Sequence, residues 1–290
     1  MAELKLHKNY TGRRKRREII KKAVLYLVLT VVGLFFFFPL VWMVLTALKS
    51  NADLINPKVF FPTELHWENF IEALTTIPFG RYFTNSTIIT LSCVVGSVFS
   101  SSLAAYAFAK LQFPFKKLLF FIMMGTMMIP TQILMIPMFT MYARMNLLNT
   151  YFPLIVPAFL GVGGAMYIFL LRQFFMGLPK ALTESAIVDG AGHFRIFIQI
   201  ILPLSKPALI SVALFSFIFT WNDFFAPLIY LTDPAKLTLA IGLRAFQSQY
   251  EFKYNLMMAG ALVSMLPTLV LFFLAQKHFL EGITFTGIKG

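Results

Sequence analysis

Long apolar runs separated by basic residues dominate the chain. Uncharged stretches cover residues 23–48, 82–109, 118–143, 145–171 and 255–276, and a sixth, 208–232, is interrupted only by Asp223. Each can supply the roughly 20 predominantly apolar residues that a helix needs to cross a bilayer. Inside lipid the backbone must satisfy its own hydrogen bonds, so each run predicts a helix. The pattern therefore predicts an all-α membrane protein with six transmembrane helices. An even number of crossings puts both ends on one side.

The basic residues choose that side. Nine of the 25 Lys and Arg fall within the first 22 residues, including the run Arg13, Arg14, Lys15, Arg16, Arg17. With the N-terminus inside, the inner segments carry 18 basic residues and the outer ones 7. Positive residues accumulate on the cytoplasmic face, so the N- and C-termini are expected to be cytoplasmic. The basic start before an apolar run looks like a signal peptide. The run is too long for one, however, and no small-residue cleavage site follows, so it reads as a first transmembrane helix.

Composition narrows the function. Hydrophobic residues make up 58% and charged residues 13% of the 290, too little charge to cover a soluble globule. The net charge of +13 invites nucleic-acid binding, but the cations sit at the edges of apolar runs, where they serve membrane orientation and anionic headgroups. The expected partner is the lipid bilayer and not nucleic acid. Cys93 is the only cysteine, so an internal disulfide is impossible. His7, His66, His193 and His278 are scattered, which argues against a metal site. No phosphate-binding loop with its Gly-Lys-Ser/Thr is present, so the chain is expected to be no enzyme and to hydrolyse no ATP itself.

The chain divides into a basic N-terminal segment (1–22), a first helix with its outer loop (23–81), a core (82–277) and a tail (278–290). The outer segment 49–81, with Pro57, Phe60, Pro62, Trp67 and Pro78, suggests a short packed element. The connection 233–254 carries Arg244, Phe246, Tyr250, Glu251, Phe252 and Lys253. A loop of that length is either functional or a solvated connector. Ser97, Ser101 and Ala105, and again Gly260 and Ser264, repeat small residues every fourth position and mark faces where helices approach closely. Pro130, Pro137, Pro153, Pro157 and Pro267 interrupt apolar stretches and suggest kinks.

The connection 178–207 between the fourth and fifth apolar runs is the most informative. Pro179 can open a helix and Gly190 can close it in a left-handed cap. A second helix would run from about His193 to Leu202, where Pro203 would stop it. Helix, glycine turn and helix make a rigid projection. Its small residues Ala181, Ser185, Ala186 and Ala191 would let it enter a partner's cleft.

This loop resembles the signature of ATP-binding-cassette (ABC) importer permeases: Glu-Ala-Ala, three residues, Gly, nine residues, Ile-x-Leu-Pro. Glu184, Ala186, Gly190, Ile200, Leu202 and Pro203 occupy the pattern, and Ser185 alone departs from it. Trp221-Asn222-Asp223-Phe224 is similar to an element of the carbohydrate-uptake branch, in its MalG-like subunit. The ending around Gly282, Gly287 and Lys289 is similar to the tail of that branch.

The resemblance implies a type I ABC importer permease fold in the cytoplasmic (inner) cell membrane of a bacterium or archaeon. It implies three partners: a second homologous permease, an ABC ATPase dimer and an extracytoplasmic substrate-binding protein. No cofactor is expected in this chain, with ATP and magnesium held by the partner ATPase. Glu184, Ala186, Asp189, Gly190, Ile200, Leu202 and Pro203 would couple to that ATPase. Gly287 and Lys289 would contact it from the tail, and the 233–254 loop would touch the binding protein. Trp221, Asn222 and Asp223 would line the translocation pathway of a sugar or oligosaccharide. Alternatively, Trp221 is an interfacial anchor with the carboxylate reaching the outer surface. Other transport readings are an importer for a non-sugar solute such as glycerol phosphate, or an ion-coupled secondary transporter. The latter would need ionisable relays in several helices, whereas Asp223 stands alone.

Overall fold

The computed structural model describes residues 2–247 and 253–284, with side chains at 17–247 and 253–276. Among these residues no strand occurs. The helices are α1 (Ala2–Ala47), α2 (Asn51–Ile55), α3 (Glu68–Thr76), α4 (Phe79–Lys110), α5 (Lys116–Thr126), α6 (Thr131–Arg144), α7 (Phe152–Phe159), α8 (Ala165–Gly177) and α9 (Lys180–Val188). They continue with α10 (His193–Leu204), α11 (Lys206–Trp221), α12 (Phe225–Tyr230), α13 (Leu239–Gly242) and α14 (Tyr254–Thr284).

Residues Arg17–Ala47 of α1, all of α4 and Tyr254–Gln276 of α14 are each long and apolar enough to cross a membrane. The other apolar runs are broken. α5 and α6 meet at 94°, α10 and α11 at 81°, and counting each bent pair as one crossing gives five candidate spans. The stretch 118–143 breaks ahead of Pro130, whose ring lacks an N–H and disfavours helix at the residue before it. The stretch 145–171 divides between α7 and α8, where Gly161 (φ 74°) and Gly163 (φ 77°) take backbone angles closed to most side chains. The stretch 208–232 divides after Trp221, and Asp223 lies in the turn before α12.

The chain forms two compact units, Met1–Ala73 with Glu251–Leu262 and Leu74–Tyr250 with Val263–Gly290. In the first, the apolar side chains of α1 are exposed from Val24 to Phe38, as a lipid-facing helix requires. Below its end sits a polar knot. Buried Asn69 donates Nδ2–H to the carbonyls of Ala47 (2.8 Å) and Lys49 (3.0 Å). Buried Asn255 donates to the Lys49 carbonyl and to Asn69 Oδ1, both at 3.3 Å. Lys49, 3% exposed, donates Nζ–H to the Val59 carbonyl at 2.7 Å. Asp53 accepts from the Thr63 N–H and hydroxyl, and that N–H, more than any other contact, holds its carboxyl below the usual carboxylate range. Within the outer segment 49–81, polar contacts of Lys49, Asp53 and Asn69 therefore tie the chain down, whereas the aromatics Phe60 (45%) and Trp67 (63%) stay exposed.

In the second unit α4 is the central post, and α7, α8 and α11 pack on it. Ser97, Ser101 and Ala105 are buried along one face, which confirms them as packing positions. Gly96 lets α7 close in: a Cβ there would lie 2.6 Å from Phe159 Cδ2. Gly96→Ala is expected to destabilise the purified protein by about 1–3 kcal/mol through overpacking. Thermal unfolding in detergent would read this, and an unchanged midpoint would contradict the close approach.

The segment after α12 is pinned to this post. Asn85 donates Nδ2–H to the carbonyls of Ala235 (3.0 Å) and Leu237 (2.9 Å), and Ser86 Oγ accepts the Leu239 N–H at 2.8 Å. Gly242 lies under the ring of buried Tyr82, with no room for a Cβ. Of the aromatic and charged residues noted in 233–254, Tyr250, Glu251 and Phe252 lie outside the described residues.

Candidate functional site

Two places in the second unit bring the sequence candidates together: a surface projection and an internal cavity. The projection is built as its punctuation predicts. Pro179 precedes α9, and the helix closes in a paired hydrogen-bond cap: Gly190 N–H to the Ile187 carbonyl (2.9 Å) and Ala191 N–H to the Ala186 carbonyl (2.9 Å). Gly190 takes φ 79°, in the left-handed region. A side chain there would meet no neighbour within 4 Å, so the demand for glycine is purely conformational.

The second arm runs further than the proline suggests. α10 continues through Pro203 to Leu204, and its middle, Phe197–Ile201, is wound as a π-helix. Pro203 has no N–H to close the next helical bond, and the wider turn just before it absorbs that loss. The chain then turns at Ser205, which is fully buried.

Each arm has an inner and an outer face. Ala186, Ile196, Phe197 and Ile201 are buried against Tyr106, Leu171, Phe175 and Val212, with Ala191, Ile200 and Leu202 partly buried at the same core. Four of the predicted small or apolar positions therefore anchor the projection to the bundle. Glu184, Ser185, Asp189, Gly190 and Pro203 are exposed. So are four apolar side chains that sequence reading missed: Leu182 (41%), Ile187 (50%), Val188 (86%) and Phe194 (70%). Carboxylates interleaved with exposed aliphatic and aromatic side chains on a rigid hairpin suit a protein partner. Gly287 and Lys289 lie outside the described residues.

The cavity has a volume of about 420 Å³ and lies among α4, α7, α8 and α11. Its polar side chains are mostly hydroxyls, among them Ser86, Thr90, Ser97, Tyr167, Ser216 and Thr220, with the Asp223 carboxylate, set in a wall that is otherwise largely apolar. Asp223 is half-buried, and its Oδ1 accepts the Ala226 N–H at 3.3 Å, holding the start of α12. Its two neighbours point elsewhere. Trp221 is 7% exposed, stacks on Phe217 at 5.4 Å and meets Phe83 edge-on. Its indole N–H donates to the Ser264 carbonyl at 2.9 Å, so the ring supports the wall and does not line it. Asn222 is exposed and donates to the Ile218 carbonyl at 2.8 Å, closing its own helix.

Sequence reading missed the hydroxyls. Ser86 and Thr90 share one face of α4 with Ser97, which the sequence marked only as a packing position, and Ser216 and Thr220 recur on α11. The helical spacing of small polar residues was the available signal. Among the described residues no group of three or more His, Cys, Asp or Glu converges as a metal site would require.

Residues 96–283 match the family described as binding-protein-dependent transport system inner membrane component. The chain belongs to this family. The permease is 34% identical over 257 residues to the arabinooligosaccharides transport system permease protein AraQ of Halalkalibacterium halodurans, covering 87% of this chain and 91% of the relative. It is 31% identical over 279 residues to the trehalose/maltose transport system permease protein MalG of Thermococcus litoralis, covering 95% and 99%. Its fold matches a chain in the crystal structure of a bacterial ABC transporter involved in the import of the acidic polysaccharide alginate. The TM-score is 0.77 at 24% identity, over 91% of this permease and 98% of that chain. The permease is a membrane transport subunit and not an enzyme. Its all-helical structure is the ABC importer permease fold that the resemblance implies.

Proposed function

We propose that this permease forms half of the translocation path of an ATP-driven importer for a sugar or oligosaccharide. The observation that carries the coupling is the capped hairpin at 178–207, held inward by Ala186, Phe197 and Ile201 and presenting Glu184, Val188, Asp189 and Phe194 outward. A separate ATPase dimer, holding ATP and magnesium, receives this hairpin. A second, homologous permease completes the pore, and an extracytoplasmic binding protein delivers substrate from the other side. The hydroxyl-lined cavity supports the sugar reading, because hydroxyls donate and accept as sugar hydroxyls do. Relatives whose names specify arabinooligosaccharides and trehalose/maltose support it as well.

A strain lacking the chain is expected to lose uptake of one oligosaccharide while uptake of unrelated solutes continues. Loss of glycerol phosphate uptake with all sugars unaffected would overturn the sugar reading and leave the importer reading intact.

The same reading places six crossings in the cell membrane, with both termini cytoplasmic and Arg244 outside. The basic asymmetry of 18 to 7 supports it. A cysteine at position 244 is expected to label from outside intact cells, and one at position 289 only after permeabilisation. Outside labelling at 289 would overturn the six-crossing arrangement.

A further inference from the structure

A second and larger hollow, of about 850 Å³, lies where α4 ends and α5 begins. Among the described residues its charged lining is entirely basic: Lys116, Lys117 and Arg172, with no carboxylate. Its remaining walls are chiefly aromatic, with Phe108 in ring contact with Phe113 (5.8 Å) and Phe120 (5.4 Å).

The cations differ in how firmly they are held. The Arg172 guanidinium stands 4.2 Å over the Phe120 ring, and its Nε–H donates to the Phe108 carbonyl at 3.2 Å. That bond and the ring fix the plane of the group, and its terminal nitrogens make no hydrogen bond among the described residues. Lys116 donates Nζ–H to the Leu111 carbonyl at 2.6 Å, and Lys117 is exposed. Among the described residues none of the three forms an ion pair.

We propose that this hollow is a binding site for an anionic phospholipid, with the phosphodiester on Arg172, Lys116 and Lys117 and an acyl chain along the phenylalanine wall. The position fits: α5 turns from Lys116-Lys117 directly into Leu-Leu-Phe-Phe, and no residue of α5 is buried. A basic pair followed at once by an apolar run is the pattern a boundary between headgroups and hydrocarbon calls for. Basic pockets between membrane helices bind anionic headgroups, and each cation near such a charge contributes about 1 kcal/mol. A planar guanidinium held at its Nε keeps its remaining donors for a phosphate oxygen pair. Free phosphate would satisfy the cations but gain nothing from the Phe108, Phe120 and Phe121 side chains. A lipid uses both halves of the lining.

Native mass spectrometry of the importer, purified with its partner subunits, tests the site. After delipidation the complex is offered phosphatidylglycerol, phosphatidylethanolamine or inorganic phosphate. The wild type is expected to retain phosphatidylglycerol above the other two. K116Q/K117Q is expected to lose retention roughly fivefold per cation removed. R172K keeps the charge but not the fork and should fall between them. Thermal midpoints in phosphatidylethanolamine alone serve as the folding control, and R172K carries the test if the double variant is unstable. Three results would overturn the proposal: equal retention of both lipids, retention unchanged in K116Q/K117Q and R172K, or binding satisfied by phosphate alone. Crosslinking of a cysteine at position 121 to the second permease, with no lipid retained, would also do so.

Discussion

Replacing Gly190 with valine is expected to leave the permease in the membrane and to abolish transport-linked ATP hydrolysis. Gly190 holds φ 79° between the two arms of the hairpin. The left-handed region costs a residue with a side chain about 1–2 kcal/mol, and a β-branched one fares worst. The helix core of the bundle does not depend on this residue, because a Cβ there meets nothing within 4 Å. The strain is therefore relieved by moving the hairpin, and with it Glu184, Val188 and Asp189, out of register with the proposed ATPase cleft. Gly190→Asn is the matched control, since asparagine tolerates the left-handed region. The assay is ATP hydrolysis stimulated by loaded binding protein in proteoliposomes, with the membrane level of each variant measured in parallel. Full stimulation in Gly190→Val would mean that this hairpin is not the coupling element.

Asp223→Ala is expected to reduce uptake by at least tenfold while assembly with the ATPase survives. Among the described residues Asp223 is the only acidic side chain lining the 420 Å³ cavity. A hydrogen bond to a charged group contributes about 1.5–3 kcal/mol, which corresponds to roughly 10–100-fold in binding. The carboxylate also accepts the Ala226 N–H, so a loss in the alanine variant could come from α12 instead. Asp223→Asn separates the two roles, because the amide oxygen still accepts that bond but carries no charge. Uptake in the asparagine variant should stay clearly below wild type, with thermal stability equal to wild type. Normal transport by Asp223→Ala would remove Asp223 from the pathway, as would recovery of full uptake in Asp223→Asn. The further replacement of Asn222 in the double alanine variant is expected to add less, since its amide is occupied by the Ile218 carbonyl.

Much of the projection was legible because its determinants are local. Pro179, Gly190 and the cap they bound need only a few consecutive residues, and backbone conformation answers to those directly. The cavity residues were only partly legible. Trp221, Asn222 and Asp223 are consecutive, and neighbours on a helix or its end point about 100° apart. They cannot share a face. Which of the three turns inward depends on Phe83, Phe217 and Ser264, which close over the indole from elsewhere in the chain.

By itself, the sequence determined that this protein lives in lipid, which segments are apolar, and where a glycine must stand to close the hairpin. These follow from transfer of side chains out of water and from single-residue backbone limits, which need no partner to act. The tertiary structure decided the bends and the cavity. Pro39, Pro137, Pro157 and Pro267 all lie within continuous helices, whereas the chain breaks ahead of Pro130 and α5 and α6 meet there at 94°. A proline removes one bond anywhere it occurs; whether the helix bends sharply depends on what neighbouring helices offer in return. The hydroxyls of Ser86, Thr90, Tyr167 and Thr220 converge for the same reason: residues far apart in sequence meet only once α4, α8 and α11 have packed.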